Sequence, residues 1–77
     1  MNIMETYIDL FLSADCEKAS EIQRRLRELG LKPAVGDHDF MYDWKGVADT
    51  AEIIAFVDKV QAHLKGTGVI LKFNTVR

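Results

Sequence analysis

The amino-acid sequence predicts an α+β fold with its elements in the order β-α-β-β-α-β. Three observations predict it. Apolar residues alternate with period two in separate stretches, they recur at three- and four-residue steps in two others, and glycines or capping residues mark the changes of period. The length of 77 residues leaves room for one domain, 1–77.

Glu5 to Leu12 alternates, with Thr6, Ile8, Leu10 and Leu12 on one face and Glu5, Tyr7, Asp9 and Phe11 on the other. That is a strand with a dry side and a mixed side. Ser13 or Asp15 supplies capping chemistry for a first helix near 14–29, whose apolar stripe is Cys16, Ala19, Ile22, Leu26 and Leu29. Gly30 ends it. Leu31 to Val35 contains the single proline, Pro33, and reads as a weak edge strand. Gly36-Asp37 marks a turn. The next strand runs from His38 to Lys45, with His38, Phe40, Tyr42 and Trp44 sharing one face and Asp39, Met41, Asp43 and Lys45 the other. Asp49 or Thr50 caps a second helix near 49–65 with the stripe Ile53, Phe56, Val57, Val60, Leu64. Gly66 and Gly68 close it, and Val69 to Val76 is the last strand, with Val69, Leu71 and Phe73 on its drier side.

Two βαβ units joined by a hairpin assemble into a ferredoxin-like βαββαβ sandwich. Its expected form is an antiparallel sheet of order 4-1-3-2 with both helices on one face.

Composition excludes several function classes. Apolar residues are 48% of the chain and charged residues 29%, enough for a packed core. The net charge of -2 is a poor electrostatic match for a nucleic acid. Apolar runs are too short for a membrane span, and Met1 to Leu12 has acids and no basic residue, so a signal peptide is not expected. The single cysteine, Cys16, allows neither an internal disulfide nor a CxxC site and points to the reducing cytoplasm.

Two helices on one side leave the other face of the sheet without internal cover. The residues expected there include Tyr7, Asp9, Phe11, Met41, Asp43, Ile70 and Lys72. Tyr7, Phe11, Met41 and Ile70 form an apolar patch that a small monomer should not leave in water. Burial against a second copy, face to face or edge to edge, would also offset the small size of the domain. A homo-oligomer is therefore expected.

Gly36-Asp37-His38-Asp39-Phe40, followed by an amphipathic helix and then Gly68-Val69-Ile70-Leu71, resembles the C-terminal effector domain of the leucine-responsive/AsnC regulators. In that family a Gly-x-Tyr-Asp pattern opens a strand in the same hairpin position; His38 stands here where tyrosine is favoured. The resemblance implies a βαββαβ domain that dimerises through its sheets and holds effectors such as amino acids between subunits. It also implies that Gly36, Asp37, His38 and Asp39 contact the ligand.

The remaining chemistry has plainer explanations. Asp37-His38-Asp39 lacks the converging ligand set of a metal site, and reads as a turn. Asp9, Asp39 and Asp43 could gather on the open face as an acid–base set, but neutralisation by Lys72 is the simpler expectation. Cys16 is in phase with the core stripe and reads as a small buried side chain. Arg24, Arg25 and Arg27 alternate with Glu21 and Glu28 as a solvated helix face. Phe40, Tyr42 and Trp44 would make a base-stacking platform only if they faced outward, and their phase puts them in the core. His63 suits a helix C-terminus. No phosphate loop, nucleophile elbow or HExxH motif is present. The leading expectation is a non-catalytic, cofactor-free cytoplasmic module that self-associates and binds a small metabolite between subunits. The rivals are a small enzyme of the dimeric α+β barrel kind and a docking subunit for another protein.

Overall fold

A computed structural model describes residues 4–76; residues 1–3, part of the stretch read for a leader, and residue 77 lie outside the described residues. The elements are β1 (Glu5–Phe11), α1 (Ala19–Glu28), β2 (Lys32–Pro33), β3 (Phe40–Asp43), α2 (Thr50–His63) and β4 (Ile70–Val76). All pairings in the four-stranded sheet are antiparallel. Listed from the short edge, the strand order is β2-β3-β1-β4 rather than 4-1-3-2. The two listings name the same neighbours from opposite edges.

One core joins both helices to one face of the sheet. Ile8 of β1 and Phe40 of β3 pack with Ile22 and Leu26 of α1 and with Phe56, Val60 and Leu64 beside or on α2. Each such side chain contributes roughly 1.5–3 kcal/mol by leaving water. Tyr42 and Trp44 join from the sheet, their rings 4.3 Å and 5.3 Å from that of Phe56. These aromatic residues therefore face the helices, as their spacing predicts. The buried polar group of this layer is satisfied: Thr6 Oγ1 lies 2.8 Å from Thr75 Oγ1 and accepts from Trp44 Nε1 at 2.8 Å.

Several boundaries differ from the sequence reading, each for a local reason. α1 starts at Ala19 with Lys18 at its N-cap and no side-chain cap, so neither Ser13 nor Asp15 caps it. Residues 13–17 are used in a turn instead. The Cys16 amide donates to the Ser13 carbonyl (3.3 Å), and the Glu17 amide donates to the Thr67 carbonyl (2.7 Å), which fastens the turn to the segment after α2. Cys16 thus precedes the helix, half-buried against the core. Gly68 lies against it so closely that an added Cβ would sit 3.3 Å from Cys16 Cβ, and its φ of +79° also favours glycine.

α2 starts as predicted, on Asp49. The Asp49 carboxylate accepts from the Glu52 amide at 2.8 Å and the Glu52 carboxylate from the Asp49 amide, a reciprocal capping box. Gly30, at φ +90°, closes α1 and lets the Tyr42 ring approach. β2 shrinks to two residues, with Leu31 buried before it. β3 begins at Phe40 rather than His38, because the chain bends through 35–39.

Candidate site on the helix-free face

Register fixes what the uncovered face presents. In β1, Glu5, Tyr7, Asp9 and Phe11 lie opposite Val76, Asn74, Lys72 and Ile70 of β4, and Tyr7 lies opposite Met41 of β3. Strand alternation puts all of these on the side away from the helices. The apolar patch is thus assembled, but in two parts. Phe11 and Ile70 are cross-strand neighbours at one end and are 54% and 67% exposed. Tyr7 and Met41 pair towards the middle and are half-buried. Asp9 and Lys72 separate the two parts.

His38 is placed differently from its predicted position. The alternation set it with Phe40, Tyr42 and Trp44 towards the helices. In the structure its ring stacks on Tyr7 at 4.5 Å, and its Nδ1 lies 3.0 Å from Asp9 Oδ1, on the helix-free side. Period-two phase holds only while the backbone is a strand, and the strand starts two residues later. When Nδ1 carries a hydrogen it donates to the Asp9 carboxylate, which leaves Nε2 outside this pair. Tyr7 is held in turn by its hydroxyl, which donates to Glu5 Oε1 at 2.9 Å. That bond to a carboxylate pushes the phenol above its usual pKa, with partial burial adding to it.

The carboxylates do not gather as an acid–base set. Asp39 Oδ2 accepts the Leu10 amide at 2.8 Å, taking the place of a ladder bond where β3 departs from β1. Asp43 lies opposite Glu5, near the other end of β1, and its Oδ1 accepts the Lys45 amide in a tight turn. Asp9 is engaged by His38, with Lys72 its cross-strand neighbour. Each acid has a separate structural task.

The turn predicted to hold a ligand is mostly open. Gly36, Asp37 and Asp39 are exposed and His38 is half-buried. Val35, which the sequence reading assigned to a strand, stands fully in solvent beside them. Two cavities lie elsewhere. One of about 530 Å³ runs between the end of α2 and β4, lined by Ala62, Leu64, Val69, Leu71 and Phe73 among others. Another of about 300 Å³ is lined by Gly30, Lys32, Tyr42, Asp43, Trp44 and Lys45. Neither is lined by residues 36–39. Among the described residues no cluster of three or more His, Cys, Asp or Glu side chains is placed to hold a metal ion. Among the described residues no helix is long and apolar enough to cross a membrane.

Sequence reasoning missed the Tyr7–His38–Asp9 cluster. The signal was Gly36-Asp37: a turn immediately before His38 frees its side chain from the phase of the strand that follows.

Comparison with family models, characterised proteins and solved structures finds no match to the chain.

Proposed function

We propose that this chain is a non-catalytic, ferredoxin-like module that self-associates through its helix-free sheet face and takes a small metabolite beside that contact. The observation that carries this reading is the adjacent pair Phe11 and Ile70, more than half exposed on the sheet face opposite both helices. The module is of the AsnC effector type in this reading, and its ligand is amino-acid-like. Such a ligand is zwitterionic, and the turn beside Asp37, Asp39 and the Asp9-held imidazole offers carboxylates for an ammonium group. The lone thiol, free of any disulfide, fits a cytoplasmic setting.

Met41→Lys tests the face. In a packed interface the new charge is unpaired and out of water, costing several kcal/mol and breaking a marginal dimer. On a solvated face the same change stays within about half a kcal/mol. Sedimentation of both proteins at equal concentration decides between them, and a native protein that runs at 8.7 kDa at high micromolar concentration sinks the reading. A docking role for another protein would then take its place.

The enzyme alternative has one observation in its favour, an imidazole oriented by a carboxylate on the face that a second sheet would enclose. It requires His38 Nε2 to meet substrate. If His38→Gln abolishes turnover of a ligand found for the native protein while leaving its binding intact, the chain is an enzyme.

A further inference from the structure

The two edges of the sheet are unlike. β2 offers two residues, and one is Pro33. Pro33 lies opposite Phe40, whose hydrogen-bonding groups face β1, so the position lacking an N–H looks outward and blocks any further strand. β4 offers seven residues with no proline, and among the described residues it pairs with β1 alone.

The backbone groups that β4 leaves free follow from the register. The Trp44 amide donates to the Met4 carbonyl, and the Leu10 amide is taken by Asp39. Even-numbered residues along this strand therefore bond towards β3 and odd-numbered ones towards β4. The β4 partners of the odd residues are Ile70, Lys72, Asn74 and Val76. Leu71, Phe73 and Thr75 accordingly aim their N–H and C=O groups away from the sheet. An edge of this kind is a template for another strand.

We propose that β4 pairs antiparallel with β4 of a second copy about a twofold axis at Phe73, joining the two sheets into one. The inference rests on the reading that the chain self-associates, and it adds the edge as the surface. A twofold at Phe73 sets Leu71 opposite Thr75, Lys72 opposite Asn74 and Ile70 opposite Val76 of the second copy. It uses the whole strand and satisfies all the free groups of Leu71, Phe73 and Thr75 in both copies. An axis at Lys72 shortens the overlap and sets ammonium against ammonium, which is repulsive. An axis between residues would put the dry side of one sheet beside the wet side of the other. At Phe73, the exposed Ile70 and Val76 (67% and 43%) cover one another at both ends of the pairing. On the helix side, the second copy's Phe73 falls beside the groove lined by Leu71 and Phe73.

The test uses the charge pattern. Asn74 is exposed and faces Lys72 of the second copy in this register. Asn74→Glu should tighten the dimer about tenfold, because it creates two symmetric ion pairs, and Asn74→Lys should weaken it about as much. Sedimentation equilibrium reads both, with far-UV circular dichroism showing that each variant keeps the native fold. Lys72 and Asn74 would form a non-hydrogen-bonded pair, with Cα atoms roughly 4.5 Å apart and within disulfide reach. Lys72→Cys and Asn74→Cys proteins, each also carrying Cys16→Ala, should therefore cross-link when mixed and oxidised, far more than either does alone. A dimer that Met41→Lys breaks, but that ignores residue 74 and gives no mixed cross-link, overturns the edge pairing and leaves the face reading standing. The mixed cross-link in a protein that stays dimeric with Met41→Lys supports the edge and overturns the face. A native protein that is monomeric at high micromolar concentration overturns both.

Discussion

α1 and α2 cover the same sheet face by different means. α2 has fourteen residues, a reciprocal cap at Asp49 and Glu52, and a core stripe through Phe56, Val60 and Leu64. α1 has ten residues, an uncapped start at Lys18, and two fully buried residues, Ile22 and Leu26. Its flank is laced with charge instead. Glu21 binds Arg24 and Arg25, Arg24 also reaches Glu28, and Glu28 meets His63 Nε2 at 2.9 Å across the helix pair. Arg25 further donates to the His63 carbonyl at the end of α2. A helix this short is marginal alone in water. The contrast teaches that α2 can be specified largely by its own residues, whereas α1 depends on being docked.

That difference can be broken at its strongest point first. Leu26→Ala should remove about 2–5 kcal/mol. This is a large share of the stability of so small a domain. Ile54→Ala on the exposed side of α2 should change it by no more than about half a kcal/mol. Urea denaturation followed by circular dichroism measures both, and a small effect at Leu26 would mean that α1 is not fixed by its core contacts.

The caps give the next largest effect. Asp49→Ala should cost about 1 kcal/mol by leaving the start of α2 without its acceptor. The reverse experiment is to give α1 what it lacks. Lys18 already has extended backbone (φ -57°, ψ 141°) and Glu21 stands three residues on, so Lys18→Ser creates the S-x-x-E pattern. A gain of roughly half a kcal/mol in thermal unfolding is expected, since Glu21 is already engaged with arginines. A loss would show that the turn before α1 needs the lysine.

The smallest effect is electrostatic and appears only in acid. Hydrogen bonds from Arg24 and then Arg25 lower the Glu21 carboxyl from 4.5 to about 2, and His63 followed by Arg24 lowers Glu28 in the same direction. A depressed folded-state pKa stabilises the fold above the unfolded value, and that contribution is lost as pH falls through the folded one. Unfolding midpoints should therefore decline between pH 4.5 and about 2. Glu21→Gln should flatten part of the decline by lowering stability at neutral pH, and only slightly, because water screens these exposed pairs. An unaltered acid profile in Glu21→Gln would remove the network from the account of α1.

The same contrast explains what could be read from the residues alone. Elements whose geometry is set locally were legible: α2 through Asp49 and its apolar stripe, β1 through eight alternating residues, and the inward phase of Phe40, Tyr42 and Trp44. Segments set by distant partners were not. Nothing near Cys16 shows that the Glu17 amide binds the Thr67 carbonyl, which holds residues 13–17 out of α1. The sequence places Tyr7, Asp9, Phe11, Met41, Ile70 and Lys72 on one face because strand parity suffices for that. The position of His38 depends on a bend, and the tasks of Asp39 and Asp43 depend on which amides lie within reach, so side-chain alternation could supply neither.

The neighbouring of β1 and β4, with Glu5 opposite Val76, bears on how the chain reaches this state. The central strand must wait for a partner at the far end of the sequence. Closing so long a loop costs more entropy than any other pairing in the sheet, although that cost grows only logarithmically with length. A nascent chain can form α1, the β2–β3 hairpin and α2 while β1 still lacks one flank. Contacts of such high sequence separation slow folding towards the millisecond range. Trp44, the single tryptophan, is tied through the Thr6 and Thr75 hydroxyls to both strands. Its emission should therefore shift as this layer closes around Phe56, with the meeting of the first and last strands one contribution to that shift.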